Sequence, residues 1–276
     1  MKSTLWKRLF VWGVLIVALV WTLFPLYWML ITSLKPMVDM FMPMPSLWPS
    51  RVTLDNYRDL LLNTHFLTFV KNSVTVGLAS MAVSVAISAL AAYSITRLRV
   101  PGRHTLATLV LVTYLVPQSI LFIPMYLLVN DLGLSDTLTA LVLIYPTFLV
   151  PYGTWMLMSY FRVIPVELEE AALIDGCGRL QAMAKVILPL AAPGLAVVAI
   201  FSFTLAWGEF IYALVVTTRS SVQTLPVGLS GFIVSDVYMW GRIMAAAVLA
   251  SFPVVALYML VQRWLVTGLA AGAVKG

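Results

Sequence analysis

A chain of 276 residues with 62% hydrophobic and 10% charged residues, a mean hydropathy of +0.99 and a formal net charge of +6 stands apart from soluble domains, which are about 45–50% apolar and about 25% charged. This composition marks a membrane protein and excludes a disordered, solvating chain. One cysteine, Cys177, rules out a disulfide framework or a Cys-based zinc site; two histidines, His65 and His104, without H-E-x-x-H leave no histidine-bound catalytic metal; and without a G-x-x-x-x-G-K-[ST] loop, any ATP that drives this protein binds another chain.

Six charge-free runs follow one another along the chain. Lys2, Lys7 and Arg8 precede the first, Leu9–Leu34, whose 26 residues exceed the apolar core of about 7–15 residues of a secretory signal; with no A-x-A-like site after it, it reads as an uncleaved first span. Segment 35–71 opens with a Met- and Pro-rich stretch (Met37 to Pro49), expected to be extended because Pro excludes helix there, and continues into a short interfacial helix capped by Thr53. The second run is Asn72–Thr96 (25 residues) and the third Thr105–Asn130 (26), in which Pro117 and Pro124 bracket Gln118 and Ser119. In the fourth, Thr137–Phe161 (25), Pro146 and Pro151 bracket Thr147 and Tyr152. Val186–Gly208 (23), with Pro193, and Ile243–Gln262 (20), with Pro253, complete the set. Each is long enough to cross a hydrocarbon core of about 30 Å as a helix, which takes roughly 20 residues. Nothing alternates with period two, so a barrel is excluded. The expected fold is all-α: one polytopic transmembrane domain, 1–276, of six helices. The interior prolines fit either broken helices lining a cavity or static bends in a packed bundle.

Six crossings place both termini on one side, with segments 97–104 and 162–185. That side carries eleven Lys and Arg in 54 residues, the other six in 77. The positive-inside rule then puts both termini in the cytoplasm. This asymmetry accounts for the net positive charge, so no nucleic-acid partner is implied.

Polar groups at membrane depth are few. Asn72, Gln118, Asn130 and Gln262 are the amides, and Glu209 is the acid embedded in a long apolar stretch. An intramembrane acid suggests function, but the reading preferred for Glu209 is a cap on a re-entrant or outer-end turn. Tyr114, Tyr145, Tyr152, Trp155, Trp207 and, near them, Tyr212 could stack on sugar rings, whose C–H faces suit an aromatic plane; packing or anchoring at the interface is the competing role. With Gln118 and Glu209, the first five are the candidate substrate path.

In segment 162–185 a short helix is punctuated by Pro165 at its first position, by Glu167, Glu169 and Glu170 complementing its N-terminal dipole, and by Gly176 as the left-handed residue after its last turn. Ala171 and Ala172 offer a flat side to a partner. A solvated linker between two spans would show the same spacing. The residues carry more: Glu170-Ala171-Ala172, three residues, Gly176, nine residues, Val186, one residue, Leu188-Pro189. This is similar to the signature loop of ATP-binding-cassette importer permeases, with Val186 where Ile is usual and Cys177 where Ala is common; Cys177 reads as a small buried residue. Trp207-Gly208-Glu209-Phe210, Thr224 to Gly228, Met244-Ala-Ala246, Pro253 and the tail Gly268 to Gly276 resemble the carbohydrate-uptake, maltose-transporter (MalG-like) permeases, the shorter of that transporter's two permease subunits.

The resemblance implies a type I importer permease in a bacterial or archaeal plasma membrane. Its partners would be a second, MalF-like permease, a dimer of ATP-binding subunits, an extracytoplasmic solute-binding protein, membrane lipid and a substrate of the sugar type. It implies no enzyme activity and no cofactor in this chain, with ATP and Mg held by the ATPase. Coupling would pass through Glu170, Ala171, Ala172, Asp175, Gly176, Leu188 and Pro189, and the tail would reach toward the ATPase interface. Two rivals lack support: an ion-coupled carrier wants ionisable residues at depth and usually internal repeats, and an intramembrane enzyme wants a nucleophile with a base or paired acids at depth.

Overall fold

With no water to bond its backbone, an apolar chain satisfies its own peptide groups as helix. The computed structural model, which describes residues 2–234 and 237–273, follows this rule almost throughout. Helix α1 (Lys2–Ser33) leads to α2 (Met37–Met40) and α3 (Asp55–Asn63), and then to the long α4 (Phe66–Arg97). Next come α5 (Arg103–Tyr114), α6 (Gln118–Asp131), α7 (Leu138–Ile144) and α8 (Pro146–Val163). A connecting stretch holds α9 (Val166–Ile174), α10 (Arg179–Ala182), a π-helical turn (Met183–Ile187) and α11 (Leu188–Leu190). The chain continues through α12 (Ala192–Gly208), α13 (Ile211–Val216) and α14 (Leu225–Ser230). An antiparallel pair, β1 (Ile233–Val234) with β2 (Val237–Tyr238), precedes α15 (Trp240–Ala273). Val274, Lys275 and Gly276, the end of the tail singled out above, lie outside the described residues.

Helix ends follow local caps more than hydropathy. Helix α4 begins six residues before its charge-free run, where the Thr64 hydroxyl accepts the Phe66 N–H (3.2 Å). Four stretches are long and apolar enough to cross alone: Trp6–Ser33, Phe66–Arg97, Leu138–Val163 and Trp240–Gln262. The third and fifth runs are bent pairs, α5 with α6 at 94° and Arg179–Leu190 with α12 at 82°, and bring the crossings to as many as six. Pro117 makes the first bend: it disfavours a helical Val116 and stands in extended backbone before α6. Pro124, Pro25, Pro151 and Pro253 are absorbed inside helices, and Pro146 opens α8 without a comparable bend.

Two features of segment 35–71 depart from expectation. Met37–Met40 is helical although Pro-rich sequence surrounds it, because Pro36 stands just outside the turn, where a missing N–H costs nothing. Thr53 lies two residues before the start of α3, with Leu54 in the cap position; its hydroxyl accepts the Asp55 N–H (3.1 Å) while its own N–H bonds the Leu34 carbonyl (2.9 Å).

The chain divides into two compact units, Met1–Leu67 with Leu229–Phe252, and Thr68–Gly228 with Pro253–Gly276. In the first, the segment after α1 is fastened by polar contacts. Lys35 Nζ donates to the Ser46 carbonyl (2.5 Å) and lies 4.4 Å from the Trp28 ring centroid; Asn56 Nδ2 bonds the carbonyls of Ser33 and Lys35 (2.9 Å each). Asp39 accepts from the N–H and hydroxyl of Ser50 (2.7 Å each), which hold its carboxyl below the usual range. Asp59 accepts from Asn63 and pairs with Arg242, and both lower it as well.

In the second unit, one apolar cluster joins Val76, Leu141, Ile144, Tyr145, Leu149, Ala213 and Val216, and another joins Ala92, Tyr93, Leu157, Phe161, Ile187 and Val198. Helices α4, α8 and α12 contribute to both. In lipid, such contacts hold by close packing rather than by escape from water, which favours small residues at crossings. Accordingly Ser80, Ser84 and Ser88, four apart on α4, are fully buried. A Cβ on Gly153 of α8 would lie 2.5 Å from the Ser88 hydroxyl, so only glycine permits that approach.

Candidate functional site

The stretch Ile164–Pro189 is built by its punctuation. Pro165 (φ −55°, ψ 136°) stands just before α9 rather than as its first residue, because its extended ψ turns the chain out of α8 before the new helix begins. At the other end Gly176 has φ +87°, as expected of the residue after a last turn. Its N–H bonds the Leu173 carbonyl (3.1 Å) and the N–H of Cys177 bonds that of Ala172 (3.0 Å), the pair of contacts that defines a Schellman motif. A Cβ at Gly176 would meet nothing within 4 Å, so glycine is needed for its backbone and not for space. Cys177 is half-buried.

Helix α9 has two faces. Glu167, Glu170, Ala171, Asp175 and Gly176 are exposed, as is Ile174 at 86%, while Ala172 is half-buried; farther on, Leu188 is half-buried and Pro189 exposed. This gives an acidic rim around exposed apolar side chains, with a helix end that local hydrogen bonds fix. Glu169 points the other way. It is buried, accepts from Tyr93 Oη (2.5 Å) and faces Arg97 Nε at 3.8 Å. Glu169, expected from the sequence to complement the helix dipole, is held by Tyr93 and Arg97 instead. Their spacing, four apart at the end of the second run, was the available signal.

The candidate substrate residues fall into separate groups. Tyr145, fully buried, donates to Glu209 Oε2 (2.8 Å). Glu209 also accepts the N–H groups of Tyr212 (2.8 Å) and Ala213 (3.0 Å), so its carboxylate caps α13. The Tyr212 hydroxyl bonds the backbone carbonyl of Gln118 (3.0 Å), which ties this network to the bend between α5 and α6. Tyr114 and Tyr152 meet with centroids 5.7 Å apart, and Tyr152 stacks on Phe201. Trp207 is buried against Phe203, and Trp155 is exposed. Of the amides, Asn72 bonds the carbonyls of Ser221 (3.0 Å) and Gln223 (2.9 Å). Asp136 (φ +59°) accepts the N–H groups of Thr218 and Arg219 and pairs with the Arg219 guanidinium; the backbone bonds, Thr218 foremost, pull it down to about 2. Among the described residues no three His, Cys, Asp or Glu side chains converge on a metal position.

The fold has counterparts among known proteins. Residues 84–270 match the model of the family described as binding-protein-dependent transport system inner membrane component. The chain belongs to this family. These are ABC importer permeases, and the carrier alternative finds no support. The matched range holds α9 and its Schellman end, both bent pairs and the Glu209 network. Among similar permeases, the diacetylchitobiose uptake system permease protein DasC of Streptomyces coelicolor is 34% identical over 100% of both chains. The trehalose transport system permease protein SugB of Mycobacterium tuberculosis is 37% identical over 98% of this chain and 99% of its own. A solved bacterial ABC transporter that imports the acidic polysaccharide alginate contains a chain with the same fold, at TM-score 0.84 and 22% identity, covering 96% of this chain and 98% of that one. As an importer permease the protein is a multi-pass membrane subunit that transports rather than catalyses and that works with a solute-binding protein.

Proposed function

We propose that this chain is the MalG-like half of the translocation path of an ATP-driven importer for a sugar or sugar derivative. It would pair with a MalF-like permease over a dimer of ATP-binding subunits that hold ATP and Mg, and receive substrate from an extracytoplasmic binding protein. The observation that carries the reading is the exposed face of α9, whose Schellman end sets the helix for docking in a partner cleft. Glu170, Ala171, Ala172, Asp175 and Gly176 would dock, with Leu188 and Pro189 carrying the motion into α12. The basic-residue asymmetry supports cytoplasmic termini. The sugar class is supported by the diacetylchitobiose and trehalose relatives. Tyr114, Tyr145, Tyr152, Trp155, Trp207, Gln118 and Glu209 are the proposed path. Of these, Tyr114 and Tyr152 suit ring stacking best, since Tyr145 and Glu209 already bond each other.

Reconstitution tests the reading. Vesicles holding the chain alone should neither release phosphate from ATP nor take up labelled trehalose or diacetylchitobiose. With the second permease and the ATPase added, hydrolysis should rise when the loaded binding protein docks. Uptake by the isolated chain under a proton or sodium gradient would overturn the reading.

A further inference from the structure

We infer that Glu169, Tyr93 and Arg97 form a buried joint that fastens the inner face of α9 to α4, so that α9 and the end of α4 move as one body when a partner pulls on the exposed face. The three act as positioning residues for transport. The inference rests on α9 being the docking helix.

The joint gathers four segments at one point. The Arg97 guanidinium donates through Nη2 to the carbonyls of Phe161 (2.5 Å) and Ile164 (2.6 Å), at the last turn of α8 and its exit, where the Phe161 carbonyl also takes the Ile164 N–H (3.3 Å). Its Nε faces Glu169 Oε2 at 3.8 Å and has no hydrogen-bond partner. The side chains of Arg97 and Glu169 are 4% and 5% exposed. Tyr93, one turn earlier on the same face of α4, donates to Glu169 Oε1 and lies 3.3 Å from the Arg179 carbonyl at the start of α10. One carboxylate from α9 therefore engages a cation and a hydroxyl from α4, while the same cation closes α8.

Burial makes this joint stiff in a way that exposed pairs are not. If α9 tilted away from α4, the Arg97 charge would remain in a dry pocket without its counter-charge, and the buried hydroxyl of Tyr93 would lose its acceptor. Only Ile164 and Pro165 separate α8 from α9, so the connection has no slack to absorb such a tilt. Glu169 and Glu170 are adjacent yet project to different faces: one is held inside, the other is free for a partner.

The experiment uses the assembled transporter in vesicles, with the second permease, the ATPase and the binding protein purified with its bound ligand. Spin labels on Val166→Cys of α9 and Ser94→Cys of α4, in a Cys177→Ser background, report the distance across the joint without nucleotide and after trapping with ATP and vanadate. With the joint intact, the distance should stay the same in both states. In Glu169→Gln, which removes the charge, and in Tyr93→Phe, which removes only a hydroxyl, it should broaden or shift on trapping while the ATPase still co-purifies. In both variants the stimulation of hydrolysis by the loaded binding protein should fall about two- to tenfold, the range one hydrogen bond sets. Tyr93→Phe keeps the ring in its packing, so it separates loss of the joint from loss of the fold. An intact joint whose distance changes on trapping, or unaltered stimulation in both variants, would overturn the inference. Loss of ATPase attachment only on changing Glu170 or Gly176 leaves docking and joint distinguishable; wild-type attachment in those variants would remove the docking reading itself.

Discussion

Replacing Gly176 isolates backbone conformation from packing, because the residue sits at φ +87° and an added Cβ would meet nothing within 4 Å. Within this chain the effect comes from forcing a side-chain-bearing residue into the left-handed region, at a cost of about 1–2 kcal/mol for ordinary residues and less for Asn. That cost can be relieved only by releasing the N–H groups of Gly176 and Cys177 from the carbonyls of Leu173 and Ala172, which frays the last turn of α9. The frayed turn carries Ile174 and Asp175, both on the exposed face. A penalty of about 1–2 kcal/mol on the docking-competent form weakens attachment roughly 5- to 30-fold. The assay is co-purification of the ATPase with a tagged permease at graded salt, together with hydrolysis stimulated by the binding protein. The expected order of loss is Asn, then Ala, then Val as the most damaging, with membrane insertion unchanged. Equal, wild-type retention across all three would refute the reasoning, since neither sterics nor burial remains to explain it.

Asp136→Asn, which tolerates the same positive φ, should speed hydrogen exchange at the amides of Thr218 and Arg219. Since the folded carboxyl lies near 2, below its unfolded value of 3.8, its contribution is complete above about pH 4 and fades as pH falls through about 2; the wild type and the variant should converge there. Glu209→Ala removes a helix cap and strands the buried Tyr145 hydroxyl, a loss of about 2–4 kcal/mol that should appear as a lower unfolding temperature in detergent; unchanged unfolding with altered uptake would point to a substrate contact instead. In a Cys177→Ser background, an impermeant thiol reagent should label Val52→Cys but not Arg99→Cys in intact cells, and the reverse pattern would invert the proposed topology.

Hydropathy was enough to mark the four helices long and apolar enough to cross alone and the two bent pairs, because the absence of charge over 20 or more residues favours helix in lipid. It could not show that the third and fifth runs bend by more than 80°. Pro117 and Pro124 look alike in sequence, yet Pro117 stands in extended backbone at the bend while Pro124 lies inside α6, a difference that the residue type alone does not carry. The Gly176 conformation was legible because glycine after a helix is a local signal. The pairing of Glu169 with Tyr93 and Arg97 joins residues more than 70 positions apart, and no local pattern distinguishes Glu169 from the exposed Glu170 beside it. Glu209 was legible as an oddity, but the capping contacts it makes with Tyr212 and Ala213, and its bond to Tyr145, were not.

The π-helical turn at Met183–Ile187 begins inside the interval of nine residues between Gly176 and Val186, with Met183, Ala184 and Lys185 in it, and runs on through Ile187. A π turn holds one residue more than an α turn, and each residue turns a helix by about 100°. The interval is therefore an angular setting as well as a length: with the turn, it fixes the azimuth at which Leu188 and Pro189 of α11 leave toward α12 relative to the face of α9. Deleting one residue there would let the turn relax to regular helix and keep the rotation nearly intact, whereas deleting one beyond Ile187 would turn α12 through about a quarter of a circle relative to the loop. The same shortening thus carries opposite consequences on either side of Ile187, like removing a washer or a tooth from a gear.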